Sequence, residues 1–135
     1  MNDPHPTEGE LAILRVLWQL GAPATVREVH ERLRQHKDTA YTTVLKMLTI
    51  MSDKQLVQRD ESERSHRYLA LYSEPAVQSS MLKSFLNHAF SGSALQLVQC
   101  ALGDGSASPE DLDAIARLIA QAKRQRRAQA AGEAS

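Results

Sequence analysis

Leu11, Leu14, Leu17 and Trp18 recur at intervals of three and four, and Ile13, Val16 and Leu20 widen the stripe. That period predicts a well-buried helix. Thr7-Glu8-Gly9-Glu10 opens it as a capping box, and Gly21 and Pro23 close it. A second capping box, Thr25-Val26-Arg27-Glu28, starts a shorter helix with Val26, Val29 and Leu33 on one face and charge on the other, ending near His36. After Asp38 or Thr39 a third helix is expected to continue to the neighbourhood of Lys54. Val44, Met47, Leu48 and Met51 form its apolar side; at about 100° per residue, Thr42, Lys46, Thr49 and Asp53 fall opposite. Residues 56–59 and 66–71 read as two strands of a hairpin across a wholly polar stretch, 60–65. Three helices followed by a hairpin is the winged form of the helix-turn-helix plan, with the third helix placed for a groove.

Beyond Ser73 the pattern becomes purely helical. One stripe holds Val77, Met81, Leu82, Phe85, Leu86 and Phe90, and a second holds Ala94, Leu95, Leu97, Val98, Ala101 and Leu102. A last helix has Ser108 as N-cap, Pro109 at its first position and the acids Glu110 and Asp111 at its positive end, with Leu112, Ile115, Ile119 and Ala122 as its seam. Three such helices have too little volume to bury their own stripes. A homodimer is therefore expected through Val77, Met81, Phe85, Leu95, Val98, Leu112, Ile115 and Ile119; packing back onto the first part in a monomer is the alternative. The organisation expected is mainly α: a tail over 1–6, a winged-helix domain over 7–73, a helical dimerisation domain over 74–127 and a disordered tail over 128–135.

Sixteen Lys and Arg balance sixteen Asp and Glu, so bulk charge announces no nucleic-acid binder and excludes none, because local placement of cations is what meets phosphate. The run Lys123, Arg124, Arg126 and Arg127 reads as cation enrichment at a helix C-terminus, with an auxiliary phosphate contact as the alternative. A single cysteine, Cys100, excludes an intrachain disulfide framework. On an apolar stripe it is expected to be a buried small hydrophobe, a redox-sensing thiol being the sharper alternative. The five histidines lack ligand spacing, so neither a metal nor a cofactor is expected. No glycine-rich phosphate loop, nucleophile elbow or paired-carboxylate motif appears, and an enzyme is not expected. No apolar run approaches the ~20 residues of a membrane span, which makes a cytoplasmic chain without direct membrane binding the expectation.

A groove-reading helix needs short polar or cationic groups three and four apart on one face. Thr42, Lys46 and Thr49 meet that condition, and Thr43 near the helix start suits a phosphate. In the hairpin, Arg64 and Arg67 are the candidate contacts, although Asp60, Glu61 and Glu63 make the tip electrostatically mixed. A solvated helix face and a self-paired turn are the plainer readings of the same residues.

Ala40-Tyr41-Thr42-Thr43-Val44, followed by Leu48, Lys54 and Leu56, then Arg64 and Tyr68, resembles the recognition region of the penicillinase repressor (BlaI/MecI/CopY) family. Glu10-Leu11 with Leu14, Leu17 and Trp18 resembles the family's first helix, and residues 90–94 and 108–112 its dimerisation part. The resemblance implies a homodimeric winged-helix repressor on a palindromic double-stranded DNA operator, with Lys54 among the contacts. It also implies release by cleavage in the dimerisation part, driven by a membrane metalloprotease sensor. Three departures bear on this. Gln55 stands where a glycine is usual, so the third helix is expected to end differently; Ile50 replaces a common arginine; and Gln99 and Cys100 occupy the release region in place of the family's Asn-Phe pair. A winged-helix module that binds another protein through its third helix, without specific DNA binding, is the rival reading.

Overall fold

Both capping boxes close. In α1 (Glu8–Leu20) the Thr7 hydroxyl accepts from the Glu10 amide at 3.2 Å while the Glu10 carboxylate accepts from the Thr7 amide at 2.9 Å. In α2 (Val26–Leu33) Thr25 and Glu28 repeat the arrangement at 3.2 and 3.1 Å. Gly21, at φ 65°, ends α1 by donating its amide to the Leu17 carbonyl. A left-handed residue at that point favours glycine, which has no Cβ to clash. This computed structural model describes residues 4–134; the first half of the tail expected over 1–6, and the last residue of the one expected over 128–135, lie outside them.

α3 (Tyr41–Asp53) ends in the manner of a Schellman turn: the Leu56 amide donates to the Met51 carbonyl at 2.9 Å and the Gln55 amide to the Ser52 carbonyl at 3.1 Å. Gln55 holds φ 63° to allow it. The different ending expected from a non-glycine here does not occur; the two hydrogen bonds hold a glutamine in the left-handed region.

The wing is β2 (Val57–Asp60) and β3 (Arg67–Ala70), antiparallel, with Arg59 opposite Tyr68 and Asp60 opposite Arg67. A third strand, β1 (Ala24–Thr25), pairs with the other edge of β3 and places Ala24 opposite Tyr68. Two residues are too short to show a period, so the sequence offers only a hairpin where the molecule has a three-stranded sheet.

The core of this first compact unit, residues 1–85, is Ile13, Leu14 and Leu17 from α1, Val29 from α2, Val44, Leu48 and Met51 from α3, and Leu56, Val57 and Tyr68 from the sheet. The apolar faces read from the sequence are thus the faces buried. Trp18 packs at the margin and donates its indole N–H to the Tyr72 carbonyl at 2.9 Å. Pro4 and Pro6 are buried, so the end of the expected 1–6 tail is packed.

α4 (Glu74–Phe90) runs without a break across the division between the two compact units, the second of which is residues 86–135. Val77, at the start of α4, is fully buried in the single chain, which removes it from the dimer contacts expected of it: no surface remains to offer. The second unit comprises the end of α4, α5 (Ala94–Gly103) and α6 (Pro109–Ala134). No side chain from residue 81 to residue 133 is buried. Cys100 is exposed, contrary to the buried hydrophobe expected, because nothing within the described chain covers that side of α5. Nor is 128–134 a disordered tail. α6 continues through it, as the alanines at 128, 130, 131 and 134 favour.

Candidate nucleic-acid interface

The turn from α2 into α3 is held by His30, whose Nε2 donates to the Thr39 carbonyl at 2.7 Å and whose ring meets Tyr41 edge to face at 5.7 Å. The sequence gives no sign of this role, since the two rings lie on different helices, eleven residues apart, with no common period to relate them. Their contacts set the direction in which α3 leaves the turn.

α3 presents Thr42, Thr43, Lys46 and Thr49 on its exposed side. Thr49 donates its hydroxyl to the Leu45 carbonyl at 2.9 Å, which leaves its oxygen as an acceptor and its methyl as an apolar contact. The start of α3 differs from every other helix start among the described residues. Thr7, Thr25, Ser73, Ser93 and Ser108 each accept a first-turn amide of their own helices. Ala40 has no side chain to do so, and the first turn of α3 holds no acid. Its positive end is thus left open for an external anion.

Lys54 is placed differently from the rest of the predicted set. Its ammonium lies 3.0 and 2.9 Å from the two carboxylate oxygens of Glu10, so it fastens α3 to α1.

In the wing, Arg59 meets Glu61 at 2.7 Å. The Tyr68 hydroxyl and then the Glu61 carboxylate raise the Arg59 guanidinium above its ordinary pKa. Arg67 stands between Glu28 at 3.6 Å and Glu63 at 3.7 Å. The mixed charge seen in the sequence is therefore largely self-paired. Arg64 is the wing arginine in no ion pair among the described residues, and it is exposed.

An open groove of about 790 Å³ is lined by Arg64 and His66 of the wing, Arg27 and Glu31 of α2, Arg34 at the C-cap of α2, and Tyr41 and Leu45 of α3. Arg27 and Arg34 are exposed. In the sequence both belong to the general charged face of α2 and neither stands out. Their spacing of seven, two helical turns, is the signal that puts them in one row. Three arginines against one glutamate, with Tyr41 and Leu45 beside them, suit an amphipathic, anionic strand whose phosphates meet the guanidinium groups.

Among the described residues no helix is long and apolar enough to cross a membrane. The family model described as Penicillinase repressor matches residues 6–121. The Transcriptional regulator BlaI of Mycobacterium tuberculosis, found in strains CDC 1551 and H37Rv, is 32% identical over 114 residues, covering 83% of this chain and 80% of the relative. Among solved structures, the monomeric form of Bacillus licheniformis BlaI in complex with the blaP half-operator is similar over 55% of this chain and 89% of that one, at 20% identity and a TM-score of 0.48. A variant of Lactococcus lactis ZitR is similar over 93% and 78%, at 17% identity and a TM-score of 0.40.

Proposed function

The chain belongs to the penicillinase repressor family, and from that premise we propose that it is a cytoplasmic, homodimeric repressor of transcription on a palindromic operator. It is a regulator and not an enzyme. The observation that carries the reading is α3, with its open positive end and its exposed row of Thr42, Thr43, Lys46 and Thr49. In a major groove that row meets base edges and flanking phosphate, Lys46 reaching guanine acceptors or the backbone. Arg27, Arg34 and Arg64 guide the adjoining strand through the groove between α2 and the wing. Lys54 acts on the interface indirectly, by holding α3 to α1.

The second unit supports the dimer. Leu95, Val98, Leu112, Leu118 and Ile119 are between 40% and 69% exposed in the single chain, an apolar area that a soluble domain covers with a partner. Phe85 is exposed and Met81 and Ile115 are half-buried, each with apolar area left for the same role. Gln99 and Cys100 are exposed on α5, which suits them to a release step in this part, by cleavage downstream of a membrane metalloprotease sensor.

Fluorescence anisotropy of the chain on its own upstream DNA and on a scrambled duplex, at two salt concentrations, tests the reading. Tight, salt-dependent binding with at least ~10³ discrimination is expected. Equal, weak binding to both duplexes defeats it in favour of a protein-binding winged helix.

A further inference from the structure

Every lysine and arginine of residues 86–135 lies on one stretch of α6: Arg117, Lys123, Arg124, Arg126 and Arg127. No acid stands between Asp113 and Glu133. All five cations are exposed, and among the described residues none is in an ion pair; Arg126 only donates to Gln129, at 3.3 Å. The helix dipole does not account for them. A helix ending near residue 127 would carry them in its last turn, where cations offset carbonyl charge, but α6 runs on through Ala134 and its last turn holds no base.

Their geometry matches a different partner. At about 100° per residue the five fall within roughly half the helix circumference. From Lys123 to Arg127 the axis rises only about 6 Å and carries four cations, a charge density above the one phosphate per about 3.4 Å of a DNA strand, with Arg117 about 9 Å further back along the helix. Arg117 and Arg124 line one shallow hollow of α6 together with Ala114, Leu118, Ala120 and Gln121. Four of the five cations lie beyond residue 121, where the match to the family ends.

We propose that the basic turns of α6 from Lys123 to Arg127, C-terminal to the apolar seam at Leu112, Ile115 and Ile119, are a second, sequence-independent contact for the sugar-phosphate backbone of duplex DNA, adding affinity without discrimination. It rests on the DNA-binding reading of the winged half.

The test uses the full chain carrying Lys123→Gln, Arg124→Gln, Arg126→Gln and Arg127→Gln together, glutamine being a comparable helix former. The wild type, Lys46→Ala and a charge-keeping Arg124→Lys, Arg126→Lys, Arg127→Lys variant stand beside it. Each is titrated by anisotropy onto the upstream and the scrambled duplex between about 50 and 200 mM salt. The glutamine variant is expected to weaken both duplexes alike by tenfold or more. Its slope of log K against log salt should fall by about 2 to 4 per chain, at about 0.9 for each phosphate no longer neutralised. The lysine variant keeps the wild-type slope, whereas Lys46→Ala lowers the ratio between the duplexes if Lys46 reads a base, or the slope by only ~1 if it meets phosphate. An unchanged slope in the glutamine variant overturns the proposal. So does a glutamine variant that becomes monomeric by light scattering with its slope intact, which would assign the cations to Asp111 and Asp113 of a second copy. A wild-type ratio near one defeats the operator reading instead, and the slopes still decide the role of α6.

Discussion

Glu10, in the first turn of α1, grips Lys54 at the C-cap of α3 through both carboxylate oxygens, at 3.0 and 2.9 Å. The same carboxylate closes the α1 capping box. One buried acid thus ends two helices, serving the positive end of α1 directly and placing a cation at the negative end of α3. The angle between the helix that anchors the core and the helix proposed to enter the groove depends on this pair.

Burial alone would raise the Glu10 pKa, but the hydrogen bond from the Thr7 amide and the Lys54 ammonium outweigh it and hold the carboxyl below its ordinary 4.5. A depressed folded-state pKa gives stability that is complete above the unfolded value and is lost as pH falls through the folded one. Urea unfolding at stepped pH should therefore show stability declining below about pH 4.5. Glu10→Gln should flatten that decline and cost about 1–3 kcal/mol at neutral pH, from the weakened cap and the broken ion pair. An acid limb of the same size in Glu10→Gln would assign the decline to other carboxylates.

Lys46 and Lys54 stand at the same helix and are expected to fail differently. Lys46→Ala should leave the unfolding midpoint nearly unchanged and weaken operator binding by about 1–3 kcal/mol if it reads a base; if it meets only phosphate, the salt slope should fall by ~1. Lys54→Ala should lower the midpoint of the free protein with the salt slope preserved. Denaturation and anisotropy on the same two preparations separate the roles.

Gln55 sits at φ 63° after the end of α3, where a side chain costs about 1–2 kcal/mol that glycine avoids at the expense of some chain entropy. Gln55→Gly should stabilise the protein by about 0.5–1 kcal/mol, read as a higher urea midpoint at constant m-value. A lower midpoint would mean that the glutamine side chain supports the turn.

Leu112 is 43% exposed and Ile119 47% in the single chain, so placing a charge there costs little unless a partner covers them. Leu112→Glu and Ile119→Glu should each move the protein toward monomer in light scattering and lower operator affinity at least tenfold, through loss of paired half-sites. A dimer of undiminished stability in both variants would take the seam off α6.

The first three helices, the two capping boxes and the faces these helices bury were legible in the chain alone. Thr7 with Glu10, Thr25 with Glu28, and the periods of α1 and α3 act within four residues of themselves, so the local chain already contains both partners of each interaction. The row of Thr42, Lys46 and Thr49 was legible for the same reason. What lies further apart was settled by packing. Glu10 and Lys54 are forty-four positions distant, and only the seating of α1 on α3 shows that a cation resembling a DNA contact is held by an internal acid. The two-residue β1 exists because β3 offers it an edge, and Arg27, Arg34 and Arg64 share one groove because α2 and the wing converge. Val77 and Cys100 exchanged expectations for the same cause: an apolar stripe says that a face wants cover, and whether that cover comes from this chain or from another depends on neighbours the local pattern does not contain.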